Sequence, residues 1–159
     1  MLARPAFALA FAVALVWVFI GSEHNDAAEE LASMPLTLAG AVADWSGRTW
    51  PFFAPIIGAL GAFVAGSNTV SDMMFALFQY EVAGGTHVSH LVILGLQAFG
   101  GAAGNMITVH NVVAAAATVG LTGVEGALIR KTIWPMGYYL LVGGLLGVLF
   151  CYVIFAGVF

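Results

Sequence analysis

Long apolar stretches of this chain are interrupted by two short runs of small and polar residues. Residues 66–72 read GSNTVSD, and residues 100–111 read GGAAGNMITVHN. In a water-soluble protein such runs would form surface loops. Within a membrane, irregular backbone is tolerated only where protein or a water-filled cavity surrounds it. The two polar runs are therefore the first candidates for a functional site.

The first polar run separates two apolar segments that are each too short to cross a membrane. Residues 51–65 would extend about 23 Å as a helix, whereas the hydrocarbon core is about 30 Å thick. Residues 73–82 are shorter still. We therefore predict a re-entrant hairpin over residues 51–83, with residues 66–72 at its tip. The alternative is one long span that is broken at the polar run.

The second polar run lies inside a longer apolar stretch, so residues 88–120 are predicted to form one broken helix. Thr122 and Glu125 have the spacing of a capping box, which predicts a short amphipathic helix over residues 122–133. Residues 135–158 form the longest apolar run and are predicted to span the membrane.

The N-terminal part of the chain contains two different apolar patterns. Residues 6–21 form a continuous run that is short for a membrane span, and the alternative is a signal peptide. Residues 29–45 carry apolar side chains at helical spacing between polar ones, which predicts a helix lying along the membrane interface. Trp45 and Trp50 would then lie at headgroup depth. The alternative for residues 29–45 is a spanning helix of low hydropathy.

Composition turns these patterns into a membrane assignment. Of the 159 residues, 62% are hydrophobic and 8% are charged, and the mean hydropathy is +1.02. Soluble domains carry about 25% charged residues. The sequence thus predicts an all-α fold of polytopic transmembrane helices in one domain, residues 1–159. It contains no basic stripe, which argues against nucleic-acid binding.

The few charges predict an orientation in the plasma membrane. Basic residues accumulate on the cytoplasmic side, which places Arg4, Arg130 and Lys131 inside. The acidic segment, residues 23–30, then lies outside. The first span goes outward, the hairpin enters and leaves from outside, the broken helix goes inward, and the last span goes outward. Arg48 falls on the outer side and is the exception.

Breaks in membrane helices expose main-chain groups that can bind ions. Half-helix N-termini suit a carboxylate, and C-terminal carbonyl groups suit a cation or a proton carrier. Two facing breaks would bring such ends together near the membrane midplane. The candidate residues for binding a small organic anion and its coupling ion are Ser67, Asn68, Thr69, Ser71, Asn105, Thr108, His110 and Asn111. Asp72 and His110 are candidates for carrying a proton or a cation.

Each of these residues also has an ordinary structural explanation. Ser, Asn and Thr at helix ends are commonly caps. Asp72 fits a helix cap or a first-turn carboxylate, and His110 fits a hydrogen-bonded packing residue. Gln79 and Gln97 are interpreted as contacts between helices. An intramembrane enzyme built on Asp72 and His110 would need a second acid or a set of metal ligands, so we expect neither catalysis nor a cofactor.

Several segments closely resemble the lactate permease family, namely residues 58–63, 66–71, 73–75, 100–106, 109–115 and 120–132. Members of that family import lactate, and related 2-hydroxycarboxylates such as glycolate, together with protons. They belong to a wider ion-transporter superfamily whose fold has inverted repeats with re-entrant hairpins. In some of its carboxylate transporters a Ser-Asn-Thr motif at a hairpin tip contacts substrate and cation. The resemblance assigns that role to Ser67, Asn68 and Thr69.

The resemblance also implies an incomplete transporter. Family members are several times longer, and this chain is similar to their C-terminal part, about one inverted repeat. A missing N-terminal portion, or a second copy of the chain, would supply the other wall of the site. Asp72 stands where the family more often has Asn.

The resulting prediction is proton-coupled symport of lactate and similar 2-hydroxymonocarboxylates, with a proton preferred over sodium. One alternative is a cation-coupled transporter of another organic anion, such as a dicarboxylate. The others are a non-transporting assembly subunit and a non-functional C-terminal fragment.

Overall fold

The computed structural model describes residues 10, 14, 17, 18, 21–23, 33–121 and 123–157, and the regular structure within them is helical. Most of the predicted span 6–21, residues 29–32 of the predicted interfacial helix and Thr122 lie outside the described residues. From residue 33 onward the α-helices are α1 (Met34–Ser46), α2 (Trp50–Ala65), α3 (Asn68–Thr86), α4 (His90–Gly104), α5 (Val109–Thr118) and α6 (Glu125–Leu149). A 3-10 turn, Gly47–Thr49, joins α1 to α2, and a π-helical turn, Phe150–Ile154, follows α6.

Helices α2 and α3 fold back on each other as an antiparallel hairpin. Gln79 Nε2 donates to the carbonyl oxygen of Ala54 (2.9 Å), and Ser71 Oγ donates to that of Gly58 (2.9 Å). Residues later in α3 therefore contact residues earlier in α2, as antiparallel helices require. The alternative of one long span broken at residues 66–72 is wrong.

The turn of this hairpin is shorter than the polar run that marks it. Gly66 ends α2 in the left-handed region (φ 76°), which glycine adopts without steric cost. Ser67 is extended and accepts a hydrogen bond from Val70 N–H through its hydroxyl (3.4 Å), so it caps α3. Helix α3 thus begins at Asn68, and the prediction of a tip spanning residues 66–72 is wrong in extent. Asp72 lies in the second turn of α3 and is not a helix cap.

Helix α4 runs parallel to α2 and unusually close to it. A Cβ atom at Gly100 would overlap the carbonyl oxygen of Pro55, and one at Gly104 would overlap that of Ala59. Gly58 faces the carbonyl oxygen of Gln97 in the same way. Only glycine permits main chains to approach so closely, which is the usual role of small residues between membrane helices.

The predicted broken helix is confirmed. Helices α4 and α5 are bent by 47° relative to each other. The chain leaves α4 at Asn105 and starts α5 after Thr108, whose extended backbone (φ −66°, ψ 124°) precedes the first turn. The second polar run is therefore partly helix and partly a short irregular link over residues 105–108.

Helix α6 is continuous, so the prediction of two separate elements over residues 122–133 and 135–158 is wrong. Pro135 lies inside it. Proline removes one main-chain donor, here the one that would reach the carbonyl of Lys131, and membrane helices tolerate this loss where other groups satisfy the carbonyl. At the start of α6, Glu125 accepts a hydrogen bond from Gly123 N–H (3.1 Å).

Length and composition identify the segments that can cross a membrane. Leu36–Ala65, which runs from α1 through the 3-10 turn into α2, and Glu125–Ile154 each qualify, with mean hydropathies of 1.2 and 2.0. The bent pair α4–α5 adds a third if it counts as one span. The expected all-α membrane fold is confirmed, and the interfacial placement of residues 29–45 stays a prediction beside its spanning alternative.

The core lies where α2, α3 and α4 meet. Helix α1 packs on α3, and α6 packs on α2 and α4. Trp50 is 2% exposed and packs edge-on against Phe78, while its placement at headgroup depth stays a prediction. Trp45 is 77% exposed, as an interfacial residue would be.

Candidate functional site

The two helix breaks, residues 66–67 between α2 and α3 and residues 105–108 between α4 and α5, lie side by side. We call the place where they meet the junction. Thr108 Oγ1 donates to the carbonyl oxygens of Ala62 (3.3 Å) and Gly104 (3.2 Å). His110 Nε2 lies 2.8 Å from the carbonyl oxygen of Gly66 and donates to it. The first residues of α5 are therefore attached to the last turn of α2, because the parallel course of α2 and α4 brings their ends to the same level.

Four helix ends converge at this junction. The C-termini of α2 and α4 bring carbonyl groups with partial negative charge, and the N-termini of α3 and α5 bring N–H groups with partial positive charge. A carboxylate is stabilised at the N-termini, and a cation at the carbonyl ends. The junction accordingly combines main-chain groups that suit an anion with groups that suit a cation.

Two asparagine side chains supply unused polar atoms here. The Oδ1 atoms of Asn68 and Asn105 are buried and have no hydrogen-bond partner in the described part of the chain. The Asn68 oxygen rests against Gly101, where a Cβ atom would overlap it. A buried acceptor left unpaired costs about 1–3 kcal/mol. Both oxygens are thus unsatisfied acceptors, and a group that donates a hydrogen bond or carries positive charge would satisfy them once their neighbours move aside.

The other predicted residues of the hairpin differ in position. Ser67 uses its hydroxyl as a helix cap, and Thr69 is exposed on the first turn of α3. Ser71 is fully buried, donates to Gly58 and accepts from Gln97 Nε2 (3.0 Å). Thr69 is therefore on the exposed surface, and Ser71 lies inside the protein.

On the second break, Thr108 is 1% exposed, while His110 and Asn111 are exposed. Asn111 Nδ2 donates to the carbonyl oxygen of Asn105 (3.5 Å), which ties α5 across the break to the end of α4. Asp72 is half-buried, and its Oδ1 lies 3.5 Å from Gln97 Nε2. Among the described residues, no group of three His, Cys, Asp or Glu side chains is arranged to bind a metal ion.

Sequence reasoning underestimated the buried amides behind the junction. The interpretation of Gln79 and Gln97 as contacts between helices is confirmed, since they are 0% and 1% exposed and are hydrogen-bonded to each other between α3 and α4. Gln97 also reaches Ser71 and Asp72. The available signal was that the only two glutamines of the chain both lie inside apolar helices.

Comparison with known proteins shows which family the chain is similar to. The profile of the L-lactate permease family matches residues 1–154. A putative L-lactate permease of Haemophilus influenzae is 37% identical over 92% of this chain, and the L-lactate permease of Escherichia coli K12 is 31% identical over 96%. The glycolate permease of Escherichia coli K12 is 34% identical over 77% of the chain.

The matches cover 26%, 26% and 22% of these three relatives, so the chain spans about a quarter of their length. No solved structure matches the chain. With the family profile covering nearly every residue, the chain belongs to the L-lactate permease family.

Proposed function

We propose that this chain forms part of a proton-coupled transporter of lactate and similar 2-hydroxymonocarboxylates in the plasma membrane. The observation that carries the proposal is the meeting of four helix ends around two unpartnered asparagine oxygens. The names of the relatives point to lactate and glycolate. Because the chain spans about a quarter of those relatives, a further portion of the transporter or a second copy supplies the facing wall.

The chemistry of a 2-hydroxymonocarboxylate matches the groups at the junction. Its carboxylate suits the N-terminal N–H groups of α3 and α5. Its 2-hydroxyl is a hydrogen-bond donor, and the Oδ1 atoms of Asn68 and Asn105 are acceptors without a partner. Recognition of the hydroxyl separates lactate from propionate, which has the same carbon chain without that donor.

Coupling to a proton requires a group that binds and releases one inside the transporter. Asp72 and His110 are the titratable side chains nearest in sequence to the two breaks, and we assign them this role. A second candidate, coupling to sodium, is favoured by the same unpartnered oxygens, since amide and main-chain oxygens are also ligands for hard cations.

The test is uptake by an assembled transporter. The chain is reconstituted in proteoliposomes with the part of the Haemophilus influenzae relative that it does not match, and labelled lactate uptake is driven by a pH gradient. We expect uptake that disappears in the double variant Asn68→Ala with Asn105→Ala. The matched control is Thr132→Ala, because that hydroxyl bonds to carbonyls of its own helix, Leu128 and Ile129 (both 3.1 Å), and not to the junction.

Each outcome decides a separate part of the proposal. Absence of uptake by the unaltered assembly would contradict transport, and unchanged uptake by the double variant would contradict the site. Uptake that follows a sodium gradient and ignores pH would replace the proton by sodium. Propionate carried as well as lactate would remove the role of the asparagine oxygens in reading the hydroxyl.

A further inference from the structure

A buried chain of hydrogen bonds crosses the three central helices behind the junction. Trp50 Nε1 donates to Gln79 Oε1 (3.0 Å), and Gln79 Nε2 donates to Gln97 Oε1 (2.9 Å). Gln97 Nε2 donates onward to Ser71 Oγ (3.0 Å), the Ser71 carbonyl oxygen (3.3 Å) and Asp72 Oδ1 (3.5 Å). Trp50, Gln79, Gln97 and Ser71 are each at most 2% exposed, so water does not compete for the bonds among these four residues.

The direction of this chain is fixed at its first end. The indole of Trp50 can only donate, so the oxygen of the Gln79 amide must face it. The carbonyl oxygen of Ala54 can only accept, and the NH₂ group of the Gln79 amide donates to it (2.9 Å). The second N–H of Gln79 therefore points at Gln97. Gln97 must accept it with its amide oxygen, so its own NH₂ group points toward Asp72.

The same direction follows from the other end. The main-chain carbonyl of Ser71 and an ionised Asp72 carboxylate are both acceptors, and both require the NH₂ group of Gln97. Rotating the Gln97 amide by half a turn would set its NH₂ group against the NH₂ group of Gln79 and its oxygen against the Ser71 carbonyl and the Asp72 carboxylate. A buried amide whose neighbours are satisfied in one orientation only is a rigid donor.

We propose that Gln97 is a positioning residue for Asp72, holding its carboxylate as a hydrogen-bond acceptor on the side of α3 that faces α4. The proposal rests on the function proposed above only in giving Asp72 a role in transport. Trp50 and Gln79 act indirectly, because they fix the orientation of the Gln97 amide and so direct its NH₂ group, not its oxygen, toward Asp72. A hydrogen bond to the charged form of a carboxylate stabilises that form.

A double-variant cycle on the exchange of internal for external lactate at equal pH tests the coupling, because exchange needs no net transfer of the proton assigned to Asp72. Gln97→Glu keeps the shape of the side chain and replaces the donor to Asp72 by an oxygen, so we expect exchange to fall about tenfold or more, as for loss of a bond to a charged group. Adding Asp72→Asn returns a donor to the pair. We expect the Gln97→Glu defect to shrink or vanish in the Asp72→Asn background, which non-interacting residues would not show.

The thermal unfolding midpoint of the full chain in detergent provides a second cycle that does not depend on transport. Rescue of the Gln97→Glu midpoint by Asp72→Asn, but not by Asp44→Asn on the exposed face of α1, is the expected result. Additive effects in both cycles would overturn the proposal. If Asp72→Asn alone leaves pH-driven uptake unchanged, the transport role of Asp72 fails, while the midpoint cycle still decides whether Gln97 holds its carboxylate.

Discussion

At the residue scale, two glycines of α4 differ in what a side chain would meet. A Cβ atom at Gly104 would overlap the carbonyl oxygen of Ala59, a main-chain atom that cannot rotate away, whereas one at Gly95 meets nothing within 4 Å. Gly104→Ala should therefore push α4 from α2 and destabilise the chain by about 1–3 kcal/mol, the usual cost of overpacking. Thermal unfolding of the purified chain in detergent measures the change.

Gly95→Ala is the matched control because it adds the same methyl group to the same helix. Alanine has the higher helix propensity, so this variant should leave the unfolding midpoint unchanged or raise it, by up to about 1 kcal/mol in stability. Equal losses for both variants would show that any side chain on α4 is harmful. The close approach of α2 and α4 would then not be the cause.

At the element scale, α5 is held mainly by its first residues. Most of its side chains are exposed, and only Val112 and Ala116 are buried within it. Its described links to the hairpin are the Thr108 hydroxyl and the His110 ring. We therefore expect α5 to open more readily than α4, whose glycine face is packed against α2.

Hydrogen exchange on the chain in detergent tests this attachment. His110→Ala removes the bond to the Gly66 carbonyl and should speed exchange of the main-chain amides of α5 several-fold. The amides of α4 serve as the internal control, since the 47° bend separates the two hydrogen-bonded segments. Equal acceleration in α4 and α5 would contradict a local attachment and indicate that the whole domain loosens.

The same scale shows what the sequence could predict about the helices. The existence of the hairpin and of the broken helix followed from apolar runs too short to span. Their ends did not, because Asn68 to Asp72 are polar yet continue α3 once Ser67 caps it. Pro135 led to the opposite error, because a proline at this position predicts a boundary between two helices. A single missing N–H does not end a helix as long as α6.

At the scale of the whole molecule, the candidate site could be placed only in part. The residue types at both breaks were evident, but their proximity depends on α2 and α4 running parallel at glycine distance, a relation between distant segments. The burial of Ser71 and the Trp50–Gln79–Gln97 chain follow from that packing as well. Periodicity in one segment carries no information about which neighbour a side chain meets.

If the proposed function holds, some exposed residues of the molecule face lipid and others face a water-accessible site. Thr69 is exposed in the first turn of α3, next to Asn68, whereas Leu141, 50% exposed, lies near the middle of the apolar segment Glu125–Ile154. If the junction binds a carboxylate that arrives from water, a hydrophilic reagent can reach Thr69. The same reagent cannot reach an outward-facing residue at the middle of a lipid-exposed helix.

Cysteine labelling of the assembled transporter in vesicles tests this division. The native Cys151 is 4% exposed and is replaced first by alanine, after which Thr69→Cys or Leu141→Cys introduces one thiol. A charged, membrane-impermeant maleimide should label the Thr69→Cys variant and not the Leu141→Cys variant, because thiolate and reagent both require water. Lactate should slow labelling at position 69 by occupying the junction. Labelling of both positions at equal rates, or at position 69 with no effect of lactate, would place the binding site elsewhere.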